Sequence, residues 1–245
     1  MNTPPLALVT GAALRIGARI SEQLHREGYN LILHYRHSDE AASALAARLN
    51  QARPDSCRLL QCDLADMTAL EAMIHNLKTE PRLDLLVNNA SSFYPTPVES
   101  VSQQDWDQLI NSNLRAPFFL GTALAPQLTR AEGCIINLVD IHAERGLKGY
   151  PIYSIAKAGL QMMTLSLARE LAPRVRVNGI APGPILWPEA EAELDQQERQ
   201  QVLNKTLLGR TGTPDDIAQA VLYLTQARYV TGHILKVDGG RSLYS

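Results

Sequence analysis

The feature that most constrains this chain is a regular alternation of short apolar runs with segments of helical spacing. The runs are Leu6–Thr10, Asn30–Tyr35, Arg58–Cys62, Leu83–Asn88, Cys134–Val139, Val175–Ile180 and His233–Val237, and each reads as a strand. Between them apolar residues recur every three to four positions, as in Ile16, Ile20 and Leu24, or in Ile155, Leu160, Met163, Leu167 and Leu171. Strands and helices in strict turn predict an α/β fold with one parallel seven-stranded sheet, doubly wound, with helices on both faces. Right-handed crossovers leave few other arrangements.

A length of 245 residues suits one large domain of this class spanning 1–245. Only the stretch opened by Pro182-Gly183-Pro184 breaks the alternation. The charged segment Glu189–Arg199 follows, and reads either as an acidic helix in a substrate lid over about 184–210 or as a solvated surface helix. With 45% hydrophobic and 20% charged residues, the composition excludes disordered, collagen-like and coiled-coil chains. Basic residues number 23 against 25 acidic ones, so the net charge of -2 carries no footprint for nucleic acid. Cys57, Cys62 and Cys134 lack the spacing of a disulfide framework or a zinc site, so no metal is expected and a reducing cytoplasm fits best. Met-Asn-Thr-Pro-Pro runs directly into Leu6, too short for a signal peptide, and no apolar stretch is long enough to span a bilayer; a soluble protein off the membrane is expected.

The first strand ends in Thr10-Gly11-Ala12-Ala13-Leu14-Arg15-Ile16-Gly17, where a helix begins. Glycines at such a turn let the backbone approach a pyrophosphate, whose charge then rests on the helix N-terminus, the Rossmann-type arrangement. An NAD site usually ends the second strand with a carboxylate for the ribose 2′-hydroxyl. Here Tyr35-Arg36-His37-Ser38 stands in its place, and cationic and hydroxyl side chains attract a 2′-phosphate, so NADPH is the expected cofactor. Either Arg36 or His37 meets that phosphate. Asp39, one step further on, suits the first turn of the next helix. Asp63-Leu64 after the third strand is placed to hold the adenine edge, or Asp63 merely caps the following helix.

Tyr153-Ser154-Ile155-Ala156-Lys157 sets a phenol and an ammonium one helical turn apart on one face. The ammonium is expected to lower the Tyr153 pKa and make the phenol a usable proton donor. Together with the glycine turn, Asn88-Asn89-Ala90 and Asn113, this pair resembles the short-chain dehydrogenase/reductase family across almost the whole chain. The resemblance implies that Asn89, Ala90, Ser91, Pro182 and Gly183 border the cofactor, that Lys157 also holds the nicotinamide ribose, and that Asn113 supports a proton-relay water.

Three positions depart from the general family pattern. Arg15 stands for the middle glycine, Ser91 for the glycine after Asn-Asn-Ala, and Asp140 for the serine that precedes the tyrosine. With His34-Tyr35, the run Ser91–Pro97 and Val237-Asp238-Gly239-Gly240, these are similar to the pteridine reductase branch. Ile141–Gly146 and Leu203-Asn204-Lys205 are closer to its dihydromonapterin reductases. The implied reaction is NADPH-dependent reduction of a 7,8-dihydropterin to the tetrahydro form, with dihydrofolate and oxidised pterins as slower substrates. Asp140, Tyr153 and Lys157 would form the proton path, and Phe93 would stack on the pterin. Arg15 and Ser91 would touch both ligands, and Trp187 would close over the ring or simply anchor the lid. In related tetramers the C-terminal tail, here Arg241–Ser245, reaches toward a neighbour's site, so its sequence bears on side-chain preference. A homotetramer is implied as well, and an outward stripe of Met162, Met163 and Leu165 on a helix Pro151–Ala172 suits it. Two other readings remain: a carbonyl reductase of the 3-oxoacyl or sugar-alcohol type, against which Asp140 counts, and an NADPH-binding sensor without turnover, which would not need Tyr153 and Lys157.

Overall fold

The computed structural model describes residues 3–187 and 193–244. Its strands are β1 (Leu6–Val9), β2 (Asn30–Tyr35), β3 (Cys57–Gln61), β4 (Leu85–Asn88), β5 (Cys134–Leu138), β6 (Arg176–Pro182) and β7 (Ile234–Val237). All pair in parallel, in the order β3-β2-β1-β4-β5-β6-β7. The chain winds outward from β1 through β2 to β3, then returns to the other side of β1 at β4. The crevice where the winding reverses, above the carboxyl ends of β1 and β4, is where such sheets bind ligands.

Apolar runs without alternation arise because both sheet faces are covered. Ala7, Val9, Leu31, Leu33, Leu85 and Val87 point into one core, beneath α1 (Arg15–Arg26), α2 (Asp39–Ala52) and α9 (Pro214–Gln226). Leu8, Ile32 and Leu86, their neighbours in sequence, point into the other. That second core lies beneath α3 (Met67–Leu77), α5 (Ala116–Ala123), α6 (Ala125–Ala131) and α7 (Pro151–Leu171). Helix α4 (Gln103–Ile110) runs into α5 through one π-helical turn over Asn111–Arg115. Among the described residues no helix is long and apolar enough to cross a membrane, and none group into a cluster of three or more metal-ligating side chains.

Several boundaries differ from the sequence expectation. Leu83 lies outside β4 because its N–H bonds to the Gln127 carbonyl of α6 at 3.3 Å. Ile155 faces outward and is half exposed, whereas Met163, expected on the outer stripe, is buried in the core. Of the acidic helix expected over Glu189–Arg199, the described residues are helical from Gln196: α8 spans Gln196–Asn204, started by a capping box between Asp195 and Glu198. The part of that expectation at 189–192 lies outside the described residues.

Arg176 ties the last helix to the sheet. Its guanidinium donates to the carbonyls of Leu224 at 2.7 Å, Thr225 at 2.6 Å and Ala227 at 3.1 Å, satisfying the C-terminal end of α9. Arg176→Met strands these acceptors and is expected to cost about 3 kcal/mol. Urea unfolding checks this through a lower midpoint at unchanged slope.

Candidate active site

The nucleotide end of the crevice is built by hydrogen bonds between strand ends. The Thr10 hydroxyl accepts the N–H groups of Asn89 and Ala90, each at 3.0 Å. The Asn89 amide returns the contact, donating to the carbonyls of Thr10 at 2.9 Å and Gly11 at 3.0 Å. Asn89 lines the cleft, but its amide N–H groups are committed to holding the glycine turn. A Cβ on Gly17 would lie 2.0 Å from the Gly11 carbonyl, so only glycine lets α1 close onto this turn. Leu14 at the N-cap of α1 makes no side-chain capping bond and the first turn has no acidic residue, which leaves N–H donors for an anion. The sequence pattern and this cradle both fit a dinucleotide pyrophosphate.

His34, at the end of β2, organises this end. Its Nδ1 accepts the Gly11 N–H at 3.1 Å, and its Nε2 lies 3.0 Å from the Cys62 carbonyl, so the proton sits on Nε2. Burial pushes its pKa down to about 4. A cavity of about 230 Å³ beside it is lined by Tyr35, Arg36, His37, Ser38, Asp63 and Leu64 among others. Arg36 and His37 are exposed at its rim. The Asp39 carboxylate is in the first turn of α2 and bonds to Tyr35. Asp63 does not cap α3: Asp66 does, accepting from Thr68 and Ala69, while Asp63 bonds the Ala65 N–H and lies 4.0 Å from Arg36. Leu64 is core as well as cavity wall.

The other end is a cleft of about 700 Å³ that brings Arg15, Ser91, Phe93, Asp140, Tyr153 and Lys157, the candidate catalytic and substrate residues, to one surface with Ile16, Pro182, Gly183 and Trp187. A Cβ on Gly183 would fall 2.6 Å from the Asp238 Cα, so this glycine lets β6 and the end of β7 meet at the cleft wall. The Tyr153 hydroxyl donates to Asp140 Oδ2 at 2.8 Å. Asp140 Oδ1 takes the His142 backbone N–H and lies 2.8 Å from its Nδ1, which must be the donor because an ionised carboxylate only accepts. Burial opposes ionisation of Asp140, but the hydrogen bonds from His142 and Tyr153 outweigh it and hold its pKa below the usual carboxylate range.

Tyr153 corrects the sequence expectation. Burial first, then the Asp140 charge, raise its pKa well above 10, so the phenol is held protonated. Lys157 does not counter this through a bond to the hydroxyl: its ammonium donates to the Leu138 carbonyl at 2.8 Å and lies 5.6 Å from the Tyr153 ring centre. Burial lowers the Lys157 pKa to about 8.

Asn113, at the π-helical turn, makes no bond to Tyr153 or Lys157. Its Oδ1 accepts the Ser91 hydroxyl at 2.6 Å, and its Nδ2 donates to the carbonyls of Ser92 and Leu109 at 3.0 Å each. It braces the loop after β4. That loop carries Phe93, which stacks on Tyr150 with ring centres 4.5 Å apart and planes 7° apart, and meets Tyr153 edge-on at 4.8 Å. Tyr150 was missed in the sequence, where only its place before a helix-starting proline marked it. At the mouth, Arg15 donates to the Trp187 carbonyl at 3.0 Å, and Arg199 lies over the Trp187 ring at 5.5 Å. Arg15 has φ +52, the left-handed conformation that suits the glycine it replaces and costs an arginine about 1 kcal/mol.

A family model described as enoyl-(acyl carrier protein) reductase matches residues 11–242. The chain is 38% identical to pteridine reductase 1 of Leishmania tarentolae, over 98% of this chain and 97% of that one. It is 37% identical to the 3-oxoacyl-(acyl-carrier-protein) reductase FabG of Staphylococcus aureus, over 98% and 99%. An uncharacterized oxidoreductase of Bacillus subtilis, YmfI, is 32% identical over 96% and 97%.

Because neutral His34 accepts a bond in the folded state, it resists protonation there while the unfolded chain takes up a proton near pH 6.5. Stability is therefore lost as pH falls from about 6.5 toward 4, by roughly 3 kcal/mol in the limit. His34→Gln is expected to flatten this acid limb, read from urea unfolding at pH 7 and pH 5.

Proposed function

The chain belongs to the short-chain dehydrogenase/reductase family of oxidoreductases, and from that premise we propose that it is an NADPH-dependent pteridine reductase acting on 7,8-dihydropterins. The observation that carries this reading is the Asp140 carboxylate, hydrogen-bonded at 2.8 Å to the Tyr153 hydroxyl. A carbonyl oxygen is an acceptor and is repelled by a carboxylate, whereas the N–H groups of an amino-pyrimidine ring are donors that a carboxylate accepts. The parallel rings of Phe93 and Tyr150 offer a flat wall for a heteroaromatic substrate.

When bound, the nicotinamide supplies hydride to a ring carbon. The protein's own part is proton delivery and orientation. Tyr153, kept protonated by burial and Asp140, donates from Oη to the adjoining ring nitrogen, and the Lys157 ammonium offsets the charge left behind. Asp140, held ionised by His142, orients Tyr153 and the substrate. Asn113 acts by bracing Ser91 and the Phe93 loop. Arg36, His37 and Ser38 favour the 2′-phosphate of NADPH. The segment over about 184–210, of which 188–192 lie outside the described residues, is read as a substrate lid, and Arg15 donates to the Trp187 carbonyl near its start.

The carbonyl-reductase reading is supported by the 37% identity to the staphylococcal reductase and by a family model described for an acyl-carrier-protein reductase. NADPH consumption with dihydromonapterin, dihydrobiopterin, dihydrofolate and an acetoacetyl thioester separates the two. The pterins are expected to be consumed fastest; turnover of the thioester alone would overturn the pterin reading. A homotetramer is proposed with it, since Ile155, Met162, Phe118 and Phe119 leave large apolar surfaces exposed; light scattering reads the mass.

Asp140→Asn and Tyr153→Phe are each expected to lower turnover on an oxidised pterin by roughly 100-fold, with NADPH binding by fluorescence changed by less than about twofold. Lys157, charged below about pH 8 in the free protein, predicts that kcat/KM falls as pH rises through that value. A profile flat to pH 9.5 contradicts the ammonium's role.

A further inference from the structure

Among the described residues, the cleft carries cations that no carboxylate pairs with at close range. Asp140 is bound by Tyr153 and His142, Glu193 pairs with Arg199 at 3.3 Å, and Glu198 accepts the Asp195 N–H at 2.8 Å. Lys148 and Arg241 line the same cleft. Among the described residues neither has a carboxylate within 4.0 Å.

Arg241 is held in position by its backbone. Gly240 before it adopts φ +78, and Asp238 accepts the N–H groups of Gly240 at 3.0 Å and Ser242 at 2.7 Å. Arg145 donates to the carbonyls of Arg241 at 3.4 Å and Tyr244 at 3.1 Å. The Leu208 N–H bonds the Gly239 carbonyl at 3.1 Å, tying the tail to the segment after α8. These braces keep the guanidinium of Arg145 close to that of Arg241. Burial, then the charge of Arg145, hold the Arg241 pKa below its ordinary value, and the opposing charge of Asp238 does not offset them.

We propose that Arg241 and Lys148 form a receptor for a negatively charged group, carboxylate or phosphate, on the part of the substrate that extends beyond its flat ring. The identity of that ring rests on the pterin reading; the charge preference rests on the two cations. A guanidinium matches either anion with paired hydrogen bonds, and the ammonium of Lys148 adds a second point of charge. The tail of this chain thereby selects substrates within its own cleft.

The test compares 7,8-dihydrofolate, whose tail carries carboxylates, a dihydropterin phosphorylated on its side chain, and 6-methyl-7,8-dihydropterin, which has no charged tail. KM for at least one charged substrate is expected to lie tenfold or more below that of the methyl compound, and which one identifies the source of the charge. Arg241→Gln, and separately Lys148→Gln, should each reduce the ratio of kcat/KM for charged over uncharged substrate several-fold, and about 0.5 M NaCl should compress it in the parent protein. Equal effects on charged and uncharged substrates in both variants overturn the proposal and leave the pterin reading intact. Calorimetry with p-aminobenzoylglutamate, a charged tail without the ring, on protein loaded with NADP+ needs no turnover. Binding that weakens in Arg241→Gln supports the receptor even if no pterin is reduced, and no binding to the parent protein counts against it.

Discussion

The junction of β1 and β4 is the constraint on which the rest of this structure depends. A parallel sheet that reverses its winding must separate the connections leaving two adjacent strands, and the gap between them needs polar groups to close it. Thr10 and Asn89 do this with four hydrogen bonds, and His34 adds a bond from the next strand. The glycine turn is therefore fixed before any ligand arrives, with the N–H groups of α1 already directed at the crevice. The same junction orients the loop after β4, which brings Ser91 and Phe93 toward the helix that carries Tyr153.

Around Asp140, Tyr153 and Lys157, burial and pairing oppose one another, and the balance sets each group's charge. Burial alone would neutralise Asp140, Tyr153 and Lys157 alike. Hydrogen bonds from His142 and Tyr153 keep Asp140 ionised, and the resulting charge helps keep Tyr153 protonated. Lys157 has the Leu138 carbonyl and the more distant Asp140 charge, and its pKa is accordingly the one drawn down to about 8. The three groups act as one unit, so substituting any of them alters the other two.

Most of the architecture was legible in the sequence because apolar strands buried on both faces leave an unmistakable mark. That the residues after the strand ends line one crevice was legible too, since they follow directly on β1, β2, β3 and β4. Functions that depend on partners distant in sequence were not. Asn89, expected beside the cofactor, also braces the glycine turn; of the two readings of Asp63, adenine contact or helix cap, the cap falls to Asp66; Asn113, at a π-helical turn, bonds Ser91. Ile155 fitted the inward periodicity of α7 but sits on its outer face, since one helix side packs on the sheet and the period is not an integer.

By itself the sequence determined the strand count, the parallel doubly wound sheet, the glycine turn and the spacing of Tyr153 and Lys157, all consequences of local periodicity and short-range geometry. Only the tertiary structure decided which hydroxyl meets which carboxylate, that His34 supports the turn, that Tyr150 backs Phe93, and that Arg241 faces its own cleft. These contacts join residues that chain folding, and not sequence spacing, brings within hydrogen-bonding distance, and the charge each group carries depends on how deeply that folding buries it.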